Sequence, residues 1–375
     1  MRLSDEQLMI QETARAFAQG RIAPFVLQWE REHTPPQHIL PELGKLGLMG
    51  VCIDPRWGGA GADMVSYVLA TEEIAAADAG ICNMMNVHNS PVCAALAEHG
   101  SDEQKRRLLA PMARGELRGA FLLTEPQAGS DAGALLSRAR REGEHYVLNG
   151  SKQFITAGQS ADIAMIVAVT DPSAGRRGLT CFLTSTDNPG YKVVRLEDKL
   201  GHRNCDTCQI AFEEMRIPAS DVLGAPGEGY RIALANLNTG RIGVAAQAVG
   251  VARTALREAV TYANERQSFG KKLVAHQAIA FKLADMATKV EAARRMTLHA
   301  AALKDAGEPC IQEASMAKLF ASEICEQVCS EAVQIFGGYG YLTGSLVEKL
   351  YRDARVFRIY EGTSEVQRMV IARSL

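Results

Sequence analysis

Glu361 is the residue whose setting points most directly to chemistry. It lies in Ile359-Tyr360-Glu361-Gly362-Thr363-Ser364-Glu365, a carboxylate followed by glycine and hydroxyl residues, after a helical stretch carrying Leu350 and Phe357. A carboxylate beside backbone N–H groups in an apolar setting has a raised pKa, which suits it to removing a proton next to a carbonyl. The same pattern allows Glu361 to cap a helix over Ser364 to Arg373, and the residues alone leave both readings open. Two further segments are built to hold a ligand. In Thr124-Glu125-Pro126-Gln127-Ala128-Gly129-Ser130-Asp131, a strand end runs into hydroxyls, a glycine and acids, so backbone N–H groups and hydroxyls can converge on a heteroatom-rich group. Asn149-Gly150-Ser151-Lys152-Gln153-Phe154-Ile155-Thr156 repeats that design, with an aromatic ring and a hydroxyl two residues apart and therefore on one side of a strand. Either segment alone reads as a surface turn. Together in one β region they suit a flat aromatic cofactor.

Other chemistry is weakly supported. The chain has no G-x-G-x-x-G after a strand, no Walker A, no H-E-x-x-H and no G-x-S-x-G. Cys205 and Cys208 have metal or redox spacing, but no second pair accompanies them, so they read as structural. The histidines are dispersed singly, apart from His276 beside Gln277.

The elements that must position these residues fall into three blocks. Residues 1–115 read as helical, with stretches at Ser4–Gly20, Pro41–Leu48, Val65–Ala77, Pro91–His99 and Glu103–Met112. Residues 116–224 carry short β-rich runs, Tyr146–Leu148, Ile163–Val169, Leu179–Leu183 and Tyr191–Val194, separated by turn dipeptides. They predict an antiparallel β domain, because no βαβ alternation is visible. Residues 225–375 return to helical period. One stripe is Val244, Ala248, Val251, Ala255, Ala259 and Tyr262, and another is Ile279, Leu283, Met286, Val290 and Ala293; Phe320, Ile324 and Val328 lie on a third helix, and Leu346, Leu350 and Phe357 on a fourth. Long helices with short connections predict a four-helix bundle, and the fold class is α+β multidomain.

Composition sets the boundaries. Over 375 residues the chain is 47% hydrophobic and 22% charged, which excludes disorder and fibrous repeats. A net charge of −2 provides no global field for nucleic acid or an anionic membrane. No apolar run approaches the roughly 20 residues that span a bilayer. Nine cysteines without a repeating frame fit a reducing compartment, and Ser4-Asp5-Glu6-Gln7 reads as a helix capping box rather than a signal peptide, so the cytoplasm is expected.

With those residues in view, the whole chain resembles the acyl-CoA dehydrogenase family. The resemblance is carried by Trp57–Gly61, TEPQAGSD at 124–131, NGSKQFIT at 149–156, EDKLGHR at 197–203, NTGRIGVAAQAVG at 238–250, ERQSFGKKL at 265–273, QIFGGYGY at 334–341 and YEGTSEVQR at 360–368. It implies an N-terminal helical domain, a middle β domain and a C-terminal four-helix bundle in a homotetramer. It also implies FAD-dependent oxidation of a fatty acyl-CoA thioester to the trans-2-enoyl-CoA, as in fatty acid β-oxidation, with an electron-transfer flavoprotein as acceptor. Glu361 would be the α-proton base, with the thioester carbonyl polarised by its backbone N–H. Phe121, Leu123, Thr124, Gly129 and Ser130, with Phe154, Ile155 and Thr156, match the segments around the flavin ring. Arg266, Ser268, Phe269, His276 and Gln277 resemble the stretch that reaches the FAD pyrophosphate and adenosine of a neighbouring subunit. Gln334, Ile335, Gly337 and Gly338 resemble the segment closing over the same cofactor across the interface, and Thr363, Ser364 and Glu365 touch its other half. Ser130, Asn238, Arg241 and Gly362 match substrate positions, with Arg241 and Arg266 aimed at CoA and FAD phosphates.

Departures narrow the reading. Phe154 stands where many members carry Trp, Asn238 where Asp is usual, and Gly344 where an acid is common. Some members place the base just before the arginine matching Arg241; here that position is Gly240, which leaves Glu361 and argues against the isovaleryl and long-chain types. The resemblance is strongest to short-chain members, with short- or medium-chain thioesters expected. An oxygen-using flavoenzyme of the same fold, such as an acyl-CoA oxidase or monooxygenase, and a non-catalytic CoA-binding protein are the alternatives. The retained Glu361 and flavin segments weigh against both.

Overall fold

Capping groups and apolar stripes start the chain in helix. In the computed structural model, which describes residues 2–375 without the side chain of Asn238, the Ser4 capping box forms. The Gln7 N–H donates to Ser4 Oγ at 3.2 Å and the Ser4 N–H to Gln7 Oε1 at 3.0 Å. This opens α1 (Asp5–Phe17), followed by α2 (Val26–Glu32), α3 (Ile39–Lys45), α4 (Met64–Ala77), α5 (Ala79–Val87), α6 (Ala94–His99) and two short pieces, α7 (Asp102–Gln104) and α8 (Ala110–Ala113). Helix α5 lies outside the expected helical stretches. All nine of its residues are buried, so it has no polar face and no readable period. Its start was legible in chemical terms: Asp78 leaves the helical region at φ −154° and its carboxylate accepts from the Ile81 N–H at 2.8 Å.

Eight strands follow: β1 (Gly119–Leu122), β2 (Arg138–Glu142), β3 (His145–Thr156), β4 (Ile163–Val169), β5 (Leu179–Ser185), β6 (Tyr191–Leu196), β7 (Thr207–Pro218) and β8 (Val222–Leu223). The sheet order is β6-β7-β3-β2-β4-β5-β8, with β1 also against β4. The expectation of a purely antiparallel sheet is corrected. β1 pairs with β4 in parallel, Gly119 opposite Ile163, and β2 meets β4 in parallel at Arg138 and Val169. The β2–β3 hairpin intervenes between β1 and β4, giving the long connection that a parallel pair needs.

The C-terminal block is built on α9 (Gly229–Glu265), α10 (Gln277–Asp305), α11 (Ile311–Phe336) and α12 (Leu346–Ala354), with a small hairpin of β9 (Gln267–Ser268) and β10 (Lys271–Lys272) and a last helix, α13 (Ser364–Ala372). The α9 stripe Val244, Ala248, Val251, Ala255 and Ala259 is buried, and Tyr262 stacks on Phe336 with ring centroids 4.1 Å apart. Phe357 is buried as its spacing requires, but in a tight turn over Arg355–Arg358 beyond α12.

A charge cluster sealed from solvent joins the three blocks. Lys349 of α12, 1% exposed, donates to Asp78 Oδ2 at 2.9 Å and Asp353 Oδ2 at 2.5 Å. Asp78 also accepts from Asn204 Nδ2 at 2.9 Å, and Asp353 from the His202 N–H at 2.7 Å, which brings in the loop before β7. Burial works against the Lys349 charge, but Asp353, Asp78 and Glu30 outweigh it and hold its pKa above the ordinary lysine range. Burial likewise pushes the Asp353 pKa up, yet Lys349 and His202 leave it below its ordinary value, so its contribution to stability is present above about pH 4 and lost in acid. Lys349→Met is therefore expected to cost about 3–5 kcal/mol at pH 7, because it strands buried carboxylates. In urea unfolding, the gap to the wild type should narrow toward pH 4 as those carboxylates take up protons.

Candidate active site

The two ligand-type segments of the β domain are fastened to each other from inside. Lys152 of β3, wholly buried, donates to the Leu123 carbonyl at 2.9 Å and to Glu125 Oε1 at 2.8 Å. Glu125 in turn accepts from the N–H groups of Leu136 at 2.6 Å and Ser137 at 3.1 Å, and the Gln153 N–H donates to the Thr124 carbonyl at 2.9 Å. Burial lowers the Lys152 pKa to about 8 against the pull of Glu125, so the charge is retained by that one partner. Sequence reasoning passed over this pair, although both residues lie within the quoted segments.

What the pair holds up is an open, polar and aromatic ledge. Phe121 and Thr124 are half-buried and Leu123 is buried, while Gly129 and Ser130 are exposed. Across from them Phe154 is 64% exposed at φ 59°, Ile155 is buried and Thr156 is half-buried. Left-handed backbone at a bulky residue is strained, and strain of this kind gathers at binding sites. Nothing lies within 4 Å of where a Gly129 side chain would stand, so that edge is free.

Helix α5 links this ledge to Glu361. Asn83 Nδ2 donates to Thr156 Oγ1 at 3.4 Å, and one turn on, Asn86 accepts from the Tyr67 hydroxyl of α4. Asn86 packs where a side chain on Gly243 of α9 would be, its Oδ1 2.2 Å from that position. One turn before Gly243, a side chain on Gly240 would come within 2.1 Å of Glu361 Oε2. The absence of side chains at 240 and 243 is thus what lets the carboxylate and α5 approach α9.

Glu361 itself has φ 51° and Gly362 φ 91°, a left-handed turn ahead of α13. The capping alternative is overturned: Thr363 caps α13, its hydroxyl accepting from the Val366 N–H at 3.3 Å, and the Glu361 carboxylate is left free. Its Oε2 is sealed from solvent without a hydrogen-bond partner. Burial pushes the Glu361 pKa up to about 7, against the opposing charges of Lys318 and Arg241. Lys318 of α11 donates to the Gly362 carbonyl at 2.7 Å, and the Tyr360 hydroxyl donates to Gln247 Oε1 at 2.7 Å. The neighbours Asn83, Asn86, Gln247 and Lys318 were not among the residues read from the sequence. Asn83, Asn86 and Gln247 are polar residues within otherwise apolar runs, but no helical period around Asn83 and Asn86 marks them in the sequence.

Arg241 is 8% exposed and turned inward, with Nη1 donating to Ser315 Oγ at 3.2 Å and Nε unpaired, and its charge opposes the rise of the Glu361 pKa. Ser364 is buried with its hydroxyl unpaired, and Glu365 is exposed. The side chain of Asn238, expected near the substrate, lies outside the described residues.

The remaining expected residues gather elsewhere. Arg266, Ser268, Ile335, Gly337 and Gly338 line one cavity of about 500 Å³ at the C-terminal ends of α9 and α11, with Gln334 exposed beside it. His276 Nε2 lies 3.1 Å from the Ser268 carbonyl, and its ring packs edge-on against Phe269, which is 95% exposed; Gln277 is exposed at the start of α10. Gly240 and Glu265 are 25 residues apart on one helix. At about 1.5 Å per residue this cluster lies roughly 37 Å along α9 from the Glu361 site.

The Glu361 pKa has a stability consequence. A carboxyl whose folded pKa is raised costs stability as pH rises from about 4.5 to about 7, and the full cost persists above that. Glu361→Gln should therefore raise the Tm at pH 8, by an amount on the order of 3 kcal/mol in stability, and leave it unchanged near pH 4.5. Thermal unfolding at the two pH values checks this.

Comparison with known proteins matches three family models in sequence order: acyl-CoA dehydrogenase N-terminal domain over residues 4–116, middle domain over 120–215 and C-terminal domain over 227–375. The human mitochondrial short-chain specific acyl-CoA dehydrogenase is 44% identical over 373 residues, covering 100% of this chain and 90% of that one. The caffeyl-CoA reductase-Etf complex subunit CarC of Acetobacterium woodii is 43% identical over 376 residues, covering 100% and 99%. The structure of butyryl-CoA dehydrogenase from Megasphaera elsdenii superposes with a TM-score of 0.98 at 40% identity, covering 100% and 99%. With its three blocks in the same order and its fold shared end to end, this chain belongs to the acyl-CoA dehydrogenase family of oxidoreductases.

Proposed function

We propose that the protein is an FAD-dependent dehydrogenase of short- or medium-chain acyl-CoA thioesters, with Glu361 as the base that removes the α-proton. The observation that carries the reading is the Glu361 carboxylate: free of capping duty, with one oxygen unpaired and sealed, and with a pKa raised to about 7. A base poised there is about half ionised at neutral pH and strong enough to take a carbon-bound proton acidified by a thioester.

The residues present fit FAD. The exposed Phe154 ring, the hydroxyls of Thr124, Ser130 and Thr156 and the open edge at Gly129 suit a flat heteroaromatic ring. The Arg266 cavity with its open Gly337 and Gly338 suits a diphosphate, which a guanidinium binds through paired donors. When bound, FAD supplies a hydride acceptor for the β-carbon. The chain's own tasks are to hold the substrate against Glu361, to polarise the thioester carbonyl with the Glu361 N–H, and to exclude water. Removal of a proton and a hydride together gives the trans-2-enoyl thioester.

The distance of roughly 37 Å between the Arg266 and Glu361 clusters along one helix supports a shared site. A homotetramer in which one subunit's Arg266 end meets another's Phe154 ledge accounts for two half-sites on one chain. An electron-transfer flavoprotein as acceptor is supported by the relative named for an Etf complex. A short acyl group is supported by the relative named a short-chain specific acyl-CoA dehydrogenase and by the butyryl-CoA dehydrogenase structure. The domain limits 1–115, 116–224 and 225–375 and a cytoplasmic setting complete the proposal. No helix of the described residues is long and apolar enough to cross a membrane.

Two experiments test it. Anaerobic titration with straight and branched acyl-CoA thioesters of increasing length should bleach the flavin band most readily with butyryl- or hexanoyl-CoA, and admitting air should restore it slowly. Fast recovery with peroxide release would instead indicate an oxidase. Glu361→Gln should keep FAD while losing about 10²–10⁴-fold in the bleaching rate; bleaching at the wild-type rate would refute the base assignment. Lys152→Met should purify with substoichiometric FAD, because the two segments of the ledge lose their common anchor.

A further inference from the structure

Lys318 is an expensive residue to place where it is. Its side chain is wholly buried on α11, between the turn that carries Glu361 and the α9 face that carries Arg241. An ammonium has three donors. Among the described residues, Lys318 Nζ makes one hydrogen bond, to the Gly362 carbonyl at 2.7 Å. That carbonyl already has a neutral donor, since Gln367 Nε2 reaches it at 2.9 Å. Satisfying the carbonyl therefore does not require a charge, and a buried lysine is retained at a cost that a glutamine would avoid.

The charge acts chiefly on Glu361, across more than the 4 Å of a direct ion pair. Burial lowers the Lys318 pKa to about 8, and Glu361 is foremost among the groups that oppose the fall, ahead of Glu365 and Glu323, while Arg241 adds to it. The other groups facing the carboxylate are Arg241 from α9, the Tyr67 hydroxyl from α4 and the Tyr360 hydroxyl of its own turn. Arg241 is half committed, through Nη1, to Ser315. Lys318 alone combines a charge with a direct hold on the turn, at the peptide next to the base.

We propose that Lys318 is the positioning residue of the Glu361 base, fixing the left-handed Glu361–Gly362 turn through the Gly362 carbonyl and setting a counter-charge beside the carboxylate. The role rests on the reading of Glu361 as the base. It acts through Glu361 and needs no contact with substrate or flavin. Its two functions separate by substitution: arginine keeps charge and donor, glutamine keeps only the donor, and methionine keeps neither.

The test is the pH dependence of anaerobic flavin bleaching by butyryl-CoA in FAD-loaded holoenzyme. Lys318→Gln and Lys318→Met should move the midpoint upward by about one unit or more, with a loss of about tenfold at pH 7 that diminishes toward pH 9. Lys318→Arg should keep the midpoint within about half a unit of wild type. A second readout is independent of turnover: the Tm gain of Glu361→Gln at pH 8 should be larger in the Lys318→Gln background than in the wild type, because the uncompensated carboxylate costs more. If Lys318→Met does not fold, Lys318→Gln and Lys318→Arg carry the same comparison. A wild-type midpoint in Lys318→Gln, or an arginine variant as impaired as the glutamine one, overturns the proposal. Failure of the base reading is distinguishable, since Glu361→Gln alone would then bleach at the wild-type rate whatever stands at 318.

Discussion

The buried ammonium of Lys349 is the interaction on which the rest depends. It takes one carboxylate from the junction of α4 and α5 and another from its own helix, and through them the loop before β7. Three blocks that could each form locally are thereby given one mutual orientation, because a charge out of water is tolerated only where all its partners arrive together. The His202 ring, set by that same loop, packs edge-on against Phe357 and Tyr360, the residue before Glu361. The geometry at Glu361 thus rests on contacts made a helix turn or more away.

Around the site the chain repeatedly accepts unfavourable backbone. His202, Phe154 and Glu361 all sit at positive φ without being glycine, between 50° and 59°. Each such residue costs on the order of 1–3 kcal/mol unless its surroundings fix it. The fixing is visible: Asp353 holds the His202 N–H, Lys152 braces the segment before Phe154, and Lys318 holds the peptide after Glu361. Buried charged groups of both signs, rather than extra apolar packing, hold these strained turns.

The blocks of helix and strand were legible because their residues obey period and punctuation. The α9 stripe and the Ser4 box appear where the letters place them. Helix α5 was not legible, since a helix buried on all sides has no stripe, and with it went Asn83 and Asn86, which lie between the ledge and Glu361. The parallel β1–β4 pairing escaped for a different reason: strand direction is a property of connections, not of strand composition. Glu361 was visible as a candidate, but two readings of it stood until the Thr363 hydroxyl was seen capping α13. Arg241 was visible as a cation, but its burial against Ser315 was not, because charge in a sequence says nothing of which way a side chain turns.

On the reading of Glu361 as the base, this chain carries that group on the turn before α13, and the long helix faces it with a glycine, Gly240. A side chain at 240 would begin 2.1 Å from the Glu361 oxygen, so any residue larger than glycine displaces the carboxylate from its present place. The two side chains are rivals for one volume. A carboxylate placed on the turn therefore constrains the helix residue that faces it, and position 240 does not vary independently of where the Glu361 side chain lies.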